Sequence, residues 1–371
     1  MAATPYRTDH VGSMVRPERL LDARDAFQAG KLSRDELTRV EDECILEALD
    51  LQRAAGIAVL TDGEMRRDAY TTDQYDAIEG FVDDWPIVEQ TRPDGTKVMV
   101  EMHNKAVRGK LRQTRRLAQH EASFMQQHAA GVYKITMPTP VRSPAQIQQD
   151  IPAPYSSWDE IQQDIVDIFR DEMVALAREG VPFLQMDKVP TVYLNAEMRA
   201  GLQQRGIDPE AALAKEIAYE NACFDAVRAE FPDVTLAMHL CRGNRVAWVG
   251  GSGAYDLAAE QLFSGLHVDR FLLEYDTDRA GGFEPLRFVP KGKVVMLGLL
   301  TTKSNQMETK DALLRRIDEA SKHIPVDQLA IGPQCGFQSA ANRDGANMSI
   351  DEQRRKMELI VNVAREVWGS I

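Results

Sequence analysis

His239 and Cys241 close a short apolar run, Leu236-Ala237-Met238, and a polar turn, Arg242-Gly243-Asn244, follows at once. If the run is a strand, successive side chains alternate between its faces, so the imidazole and the thiol point the same way. An imidazole and a thiolate aimed together supply half of a tetrahedral zinc site. A core histidine beside a structural cysteine is the plainer account of these two residues. Glu274 and Cys335 close two later apolar runs, and the plainer account makes them a turn residue and a buried thiol. Taken together, a nitrogen, two sulfurs and a carboxylate at strand ends are a donor set that suits zinc. Zinc made electron-rich by two thiolates and a carboxylate is poor at generating hydroxide. It is better at holding an incoming thiol as thiolate in place of the weaker carboxylate, and the thiolate is the nucleophilic form.

For four such residues, far apart in the chain, to meet, the strands that carry them must end at one place. Eight short apolar runs, at 7–11, 57–61, 134–137, 182–186, 236–240, 270–273, 294–297 and 328–331, alternate with helical patterns. Helix signals separate them: capping boxes at Ser33/Glu36 and Ser349/Glu352, a cap at Ser157, and Asp208 followed by Pro209. Helix, glycine, apolar strand, polar turn recurs, and eight parallel strands with helical crossovers close into a (β/α)8 barrel. An open doubly wound sheet would want a glycine fingerprint after its first strand, and Gly12 alone is not one. In a barrel the strand-end residues Ser13, Glu64, Thr139, Asp187, His239, Cys241, Glu274 and Cys335 all face the C-terminal mouth. Residues 83–132 interrupt the rhythm: 86–102 reads as a hairpin turning at Pro93-Asp94-Gly95-Thr96, and the basic stretch 105–116 as a solvated surface. The segment reads as an excursion over the mouth of a single barrel domain, 1–371.

The chain has 371 residues, 44% hydrophobic and 27% charged, with a net charge of −13. That acidity argues against nucleic acid or an anionic membrane as a partner. No apolar run approaches the roughly 20 residues that span a bilayer, and the first residues lack an apolar signal core, so a cytoplasmic protein is expected. Four cysteines in so long a chain make no disulfide framework. Cys44 and Cys223 fall in helical patterns and read as core. A homo-oligomer stays open.

The segments Asp9-His10-Val11-Gly12-Ser13, Asp62-Gly63-Glu64, His239-Leu240-Cys241-Arg242-Gly243-Asn244, Phe271-Leu272-Leu273-Glu274-Tyr275-Asp276 and Pro333-Gln334-Cys335-Gly336-Phe337 together resemble the cobalamin-independent methionine synthase family. The likeness covers nearly the whole chain and is closest to the short members that match the catalytic half. It implies a TIM barrel of the uroporphyrinogen decarboxylase and methionine synthase type, with Zn2+ held by His239, Cys241, Glu274 and Cys335. It further implies that Ser13 holds the carboxylate of an amino-acid thiol and that Glu64 and Asp187 take its ammonium group. The implied reaction is methyl transfer to the thiolate of homocysteine or a related small thiol.

Three departures concern the methyl donor. Lys188 stands where the family has an acidic residue. The segment Leu299-Leu300-Thr301-Thr302-Lys303-Ser304 lacks the histidine that protonates the leaving folate nitrogen, and Thr136-Met137-Pro138-Thr139-Pro140 lacks the tryptophan that stacks on the pterin. His10 is the candidate substitute acid. The donor is left between a folate, a methyl-corrinoid protein, and a small sulfonium or ether. Within the fold, an epoxyalkane–coenzyme M transferase type would need cations for a sulfonate; Arg66, Arg67 and Arg242 could serve, or lie on the surface. Uroporphyrinogen decarboxylase, another relative by fold, needs no metal, and the donor set speaks against it. A zinc- or thiol-binding protein without turnover is the reading from another class.

Overall fold

The computed structural model describes residues 5–69, 72–84, 87–91, 97–101, 104–142, 150–245, 248–249, 254–339, 341 and 348–371. Six parallel strands follow one another in space in the order of the chain: Ile135–Pro138, Phe183–Lys188, Thr235–Leu240, Arg270–Glu274, Val294–Leu300 and Leu329–Pro333. Apart from Thr235 every residue in them is buried, as expected of strands covered on both faces. The helices begin where their capping chemistry says they should. Ser33 and Glu36 exchange reciprocal bonds before Arg34–Ala55, and Ser349 and Glu352 do the same before Ile350–Trp368. Ser157 caps Trp158–Arg178, and Asp208 caps Pro209–Glu230.

The first two expected strands are not regular ones. Segment 7–11 reaches the sheet through a single parallel bridge, Thr8 to Ile331, and segment 57–61 through Leu60 to Tyr133. Between them the ring is closed by side chains: the Ala58 N–H donates to Thr8 Oγ1 at 2.9 Å, and Thr61 Oγ1 donates to the Gly12 carbonyl at 2.8 Å. Polar side chains have taken over the work of a ladder here. Asp9 Oδ1 accepts from Lys134 Nζ at 2.7 Å, and the Arg270 guanidinium lies 3.2 Å from Oδ2, so a buried ion cluster pins the segment instead.

Strand alternation sorts the lumen from the helix layer. Phe183, Ala237, Leu272, Val294, Met296 and Ala330 pack with Val11 and Val59 in a small cluster. Two and four residues further along the same strand faces come Gln185, Asp187, His239 and Glu274, so the lumen is apolar at the strand starts and polar at their carboxyl ends. The opposite strand faces join the helices in the larger core.

In the excursion, Ile78–Asp84 pairs antiparallel with Asn104–Gln113, and Ile87–Thr91 with Lys97–Glu101. The turn Pro93–Thr96 lies outside the described residues. The basic stretch is only half a solvated surface. Arg108, Lys110 and Arg112 are exposed, but Val107 and Leu111 on the alternate face are buried, and Arg116 Nε reaches Glu172 at 2.6 Å. Among the described residues, no helix is long and apolar enough to cross a membrane.

Candidate metal and substrate site

His239, Cys241, Glu274 and Cys335 converge. One ligand atom from each lies within 4.8 Å of all the others, and all but Cys241 are buried. His239 Nδ1 faces the Leu272 carbonyl at 3.1 Å. A carbonyl only accepts, so Nδ1 carries a proton, and Nε2 is the nitrogen turned toward the other three groups and available to a metal. That Nε2 is buried and has no hydrogen-bond partner. The Cys241 and Cys335 sulfurs stand 3.7 Å apart.

The local backbone aims these groups. Cys241 N–H donates to the Lys188 carbonyl at 2.7 Å, which fixes the turn after its strand. The Gly243 N–H points back at Cys241 Sγ at 3.4 Å. Tyr255 clamps two strand ends, its hydroxyl accepting from the Glu274 N–H at 3.0 Å and donating to the Leu240 carbonyl at 3.1 Å. Gln334 Oε1 accepts from the Thr302 N–H and hydroxyl and ties the Cys335 turn to the end of Val294–Leu300.

Without an ion the four groups must settle their charge among themselves. The Cys241 thiol is held well above the usual range, first by its contact with Cys335 and then by burial. Cys335 is drawn well below the usual range by Cys241 and by His239. Burial works to lower His239, yet the Cys335 sulfur, with Asp187 and Glu274, lifts it to about 9. The orphaned Nε2, two close sulfurs and a carboxylate form a donor set that fits zinc on its own chemistry.

Glu64 and Asp187 lie together beside this set. Asp187 is opposite His239 in the sheet register, and burial first, with Glu64 and Cys335 adding to it against the opposing pull of His239, pushes its carboxyl up to about 7. Glu64 is 2% exposed. Its backbone sits in the left-handed region at φ 55°, directly after Gly63 at φ 69°, a conformation costly for a residue with a side chain. The Asp62 carboxylate holds it there by accepting the Glu64 N–H at 2.9 Å. Glu64 Oε1 takes the Thr136 hydroxyl at 2.9 Å with Arg67 3.5 Å away, while Oε2 is buried without a partner. Gly12 is needed beside it, because a Cβ there would lie 2.7 Å from Oε1; a Cβ on Gly336 would fall 1.9 Å from Ser13 Oγ. Ser13 thus lines the same wall, its carbonyl accepting the Phe337 N–H at 2.9 Å.

Other expected residues go elsewhere. His10 is on the opposite face of its segment from Asp9 and Val11. Its Nε2 meets Gln52 Oε1 of the Arg34–Ala55 helix at 2.9 Å, and burial together with Lys134 lowers it to about 4, so it is neutral at pH 7. Lys188 also turns to the helix layer, where it pairs with Glu216 at 2.8 Å and Glu220 at 3.0 Å. Arg66, Arg67 and Arg242 are not surface residues: all are buried. Arg66 is paired with Asp42 and Glu41, and Arg67 makes two bonds to Glu121 at 2.6 and 2.7 Å. Arg242 donates to the Arg279 carbonyl at 2.7 Å.

Several supports escaped sequence reading: Tyr255, Thr136, Arg279 and Arg16, and the role of Arg67 as the buried partner of Glu121 beside Glu64. The Arg16 guanidinium holds the Glu64 carbonyl at 2.9 Å, and the Arg16 backbone N–H donates to Gln338 Oε1 at 2.6 Å. None lies at a strand end of its own motif, and only the fold reveals their partners.

Ring and site define an α/β barrel with a thiolate-rich candidate metal site at the carboxyl ends of its strands. The chain belongs to the family of the cobalamin-independent synthase catalytic domain, whose model matches residues 6–366. It is 32% identical over 368 residues to the uncharacterized protein YxjH of Bacillus subtilis, covering 98% of this chain and 95% of that one. It is 22% identical over 332 residues to the methionine synthase of Sulfurisphaera tokodaii, covering 89% and 85%. The solved putative vitamin-B12-independent methionine synthase from Listeria monocytogenes superposes with a TM-score of 0.72 at 26% identity, over 99% of both chains. The family is one of methionine synthase-like methyltransferases, and the fold is its TIM barrel.

Proposed function

We propose that this protein is a zinc-dependent S-methyltransferase whose acceptor is homocysteine or a closely related small amino thiol. The convergence of one imidazole nitrogen, two cysteine sulfurs and one carboxylate within 4.8 Å, with two buried carboxylates beside them, carries the reading. His239, Cys241, Glu274 and Cys335 would hold the ion. Bound zinc would supply the positive charge that keeps a thiol ionised at neutral pH.

The rest falls to the chain. Glu64 Oε2 and the Asp187 carboxylate are buried acceptors for a cation, and an ammonium group supplies one; without it their burial is costly. Ser13, packed against Gly336 beside Cys335, would take the carboxylate of such a ligand. This orientation leaves the sulfur free to attack the methyl carbon, forming the S–C bond as the bond to the donor breaks and its electron pair stays on the leaving group. The acidic lining disfavours a sulfonate-bearing thiol, since Arg66 and Arg67 are already paired with carboxylates.

His10 is held neutral by burial and turned to Gln52 in the helix layer, so it is no acid for a leaving group here, and a donor whose leaving group needs no protonation suits this site: a methyl-corrinoid protein or a sulfonium. Zinc-loaded protein should be incubated with homocysteine and each donor in turn, and thioether formation followed by mass spectrometry. Thioether from homocysteine bears the proposal out. Tight thiol binding with no thioether from any donor would replace it with a zinc- and thiol-binding protein without turnover.

A further inference from the structure

Both carboxylate oxygens of Glu274 are engaged by donors from the chain. Oε1 accepts the Arg242 N–H at 2.7 Å, and Oε2 accepts Arg279 Nη2 at 2.9 Å. His239 Nε2, in contrast, has no hydrogen-bond partner. Arg279 is held for this contact. It lies in the short turn Asp278–Ala280, its own carbonyl is gripped by Arg242 Nη2 at 2.7 Å, and Asp276 Oδ1 lies 3.8 Å from its guanidinium. The Glu274 side chain is fully buried and that of Arg279 is 13% exposed, so the pair is largely sheltered from solvent.

A carboxylate already bonded to a guanidinium is a weaker metal donor, because the hydrogen bonds draw on the same lone pairs. A carboxylate released from a metal inside a protein is also a buried charge, which is very costly unless a cation receives it. Arg279 meets both conditions at Glu274. We infer that Arg279 is a positioning residue: it makes Glu274 the exchangeable member of the set and receives its carboxylate when an acceptor thiol takes its place. This rests on the zinc–thiol reading above.

The test compares wild type, Arg279→Met and Arg279→Lys as zinc-loaded full-length chains. Zinc affinity is measured by chelator competition, homocysteine affinity by calorimetry, and the zinc neighbours by X-ray absorption before and after homocysteine. Wild type should exchange one oxygen neighbour for sulfur. Arg279→Met should hold zinc at least as tightly as wild type, bind homocysteine about tenfold or more weakly, and retain the oxygen at thiol concentrations that convert wild type. Arg279→Lys should restore part of the exchange. If Arg279→Met exchanges oxygen for sulfur as readily as wild type, or loses zinc along with the thiol, the role assigned to Arg279 is wrong while the proposed function stands. Absence of zinc or of exchange in wild type would remove the functional reading and this inference with it.

Discussion

Cys241 and Cys335 lie 94 residues apart in the chain and 3.7 Å apart at their sulfurs. That distance is too long for a disulfide, whose S–S bond is about 2.05 Å, and short enough for one ion to hold both. The pair should therefore behave as a metal site when loaded and as a vicinal dithiol when stripped.

Elemental analysis of the purified chain should find about one zinc per molecule, falling strongly in Cys241→Ser and Cys335→Ser. Hydrogen peroxide should join the two sulfurs in the zinc-free protein, both thiols losing their hydrogens as the peroxide is reduced to water. Zinc should protect them. Peptide mapping would place the bridge, and equal oxidation with and without zinc would rule out a shared ion.

Asp187 is expected to discriminate between thiols through their ammonium group. Asp187→Asn should weaken homocysteine binding by roughly tenfold to a hundredfold, the worth of a hydrogen bond to a charged partner. A thiol of the same length without the amino group should lose little. Calorimetry on both ligands decides the matter, and equal losses would dismiss the ammonium assignment.

His10 gives a pH-dependent prediction about stability. Burial and Lys134 hold it near 4 in the folded chain, against an ordinary value of 6.5. The unfolded chain therefore binds the extra proton first as pH falls. Its stabilising contribution is complete above 6.5 and is lost progressively down to about pH 4, a difference of roughly 3 kcal/mol. Urea unfolding at several pH values should show wild type losing more stability over this window than His10→Asn. Parallel pH profiles would show that His10 is not held neutral.

Methyl-tetrahydrofolate should be a weak donor. Its leaving nitrogen needs a proton, general acids contribute about 10²–10⁴-fold to such steps, and the segment 299–304 contains no histidine. His10→Asn should leave the ranking of donors unchanged, because His10 faces Gln52 in the helix layer. Rapid thioether formation from methyl-folate at neutral pH would show that another group supplies the proton.

Local chemistry made much of this protein legible before folding. Capping residues Ser33, Ser157, Asp208 and Ser349 mark real helix starts, because a cap is a contact between neighbours in sequence. Period-2 alternation likewise puts His239 with Cys241 and separates Asp187 from Lys188, since strand geometry alone decides which way a side chain points. Other features depend on partners far away in the chain. Segments 7–11 and 57–61 are held by single bridges and by Thr8 and Thr61, and Asp9 by Lys134 and Arg270, contacts that no local pattern announces. The burial of Arg66 and Arg67 follows from carboxylates at Glu41, Asp42 and Glu121. Composition made those arginines look like free cations; closure of the ring gave each a fixed counter-charge. The sequence by itself determined which donor atoms are present and which strand face each occupies. Only the tertiary structure decided how near they come and which charges stay unpaired, because separation and desolvation are properties of the packed whole.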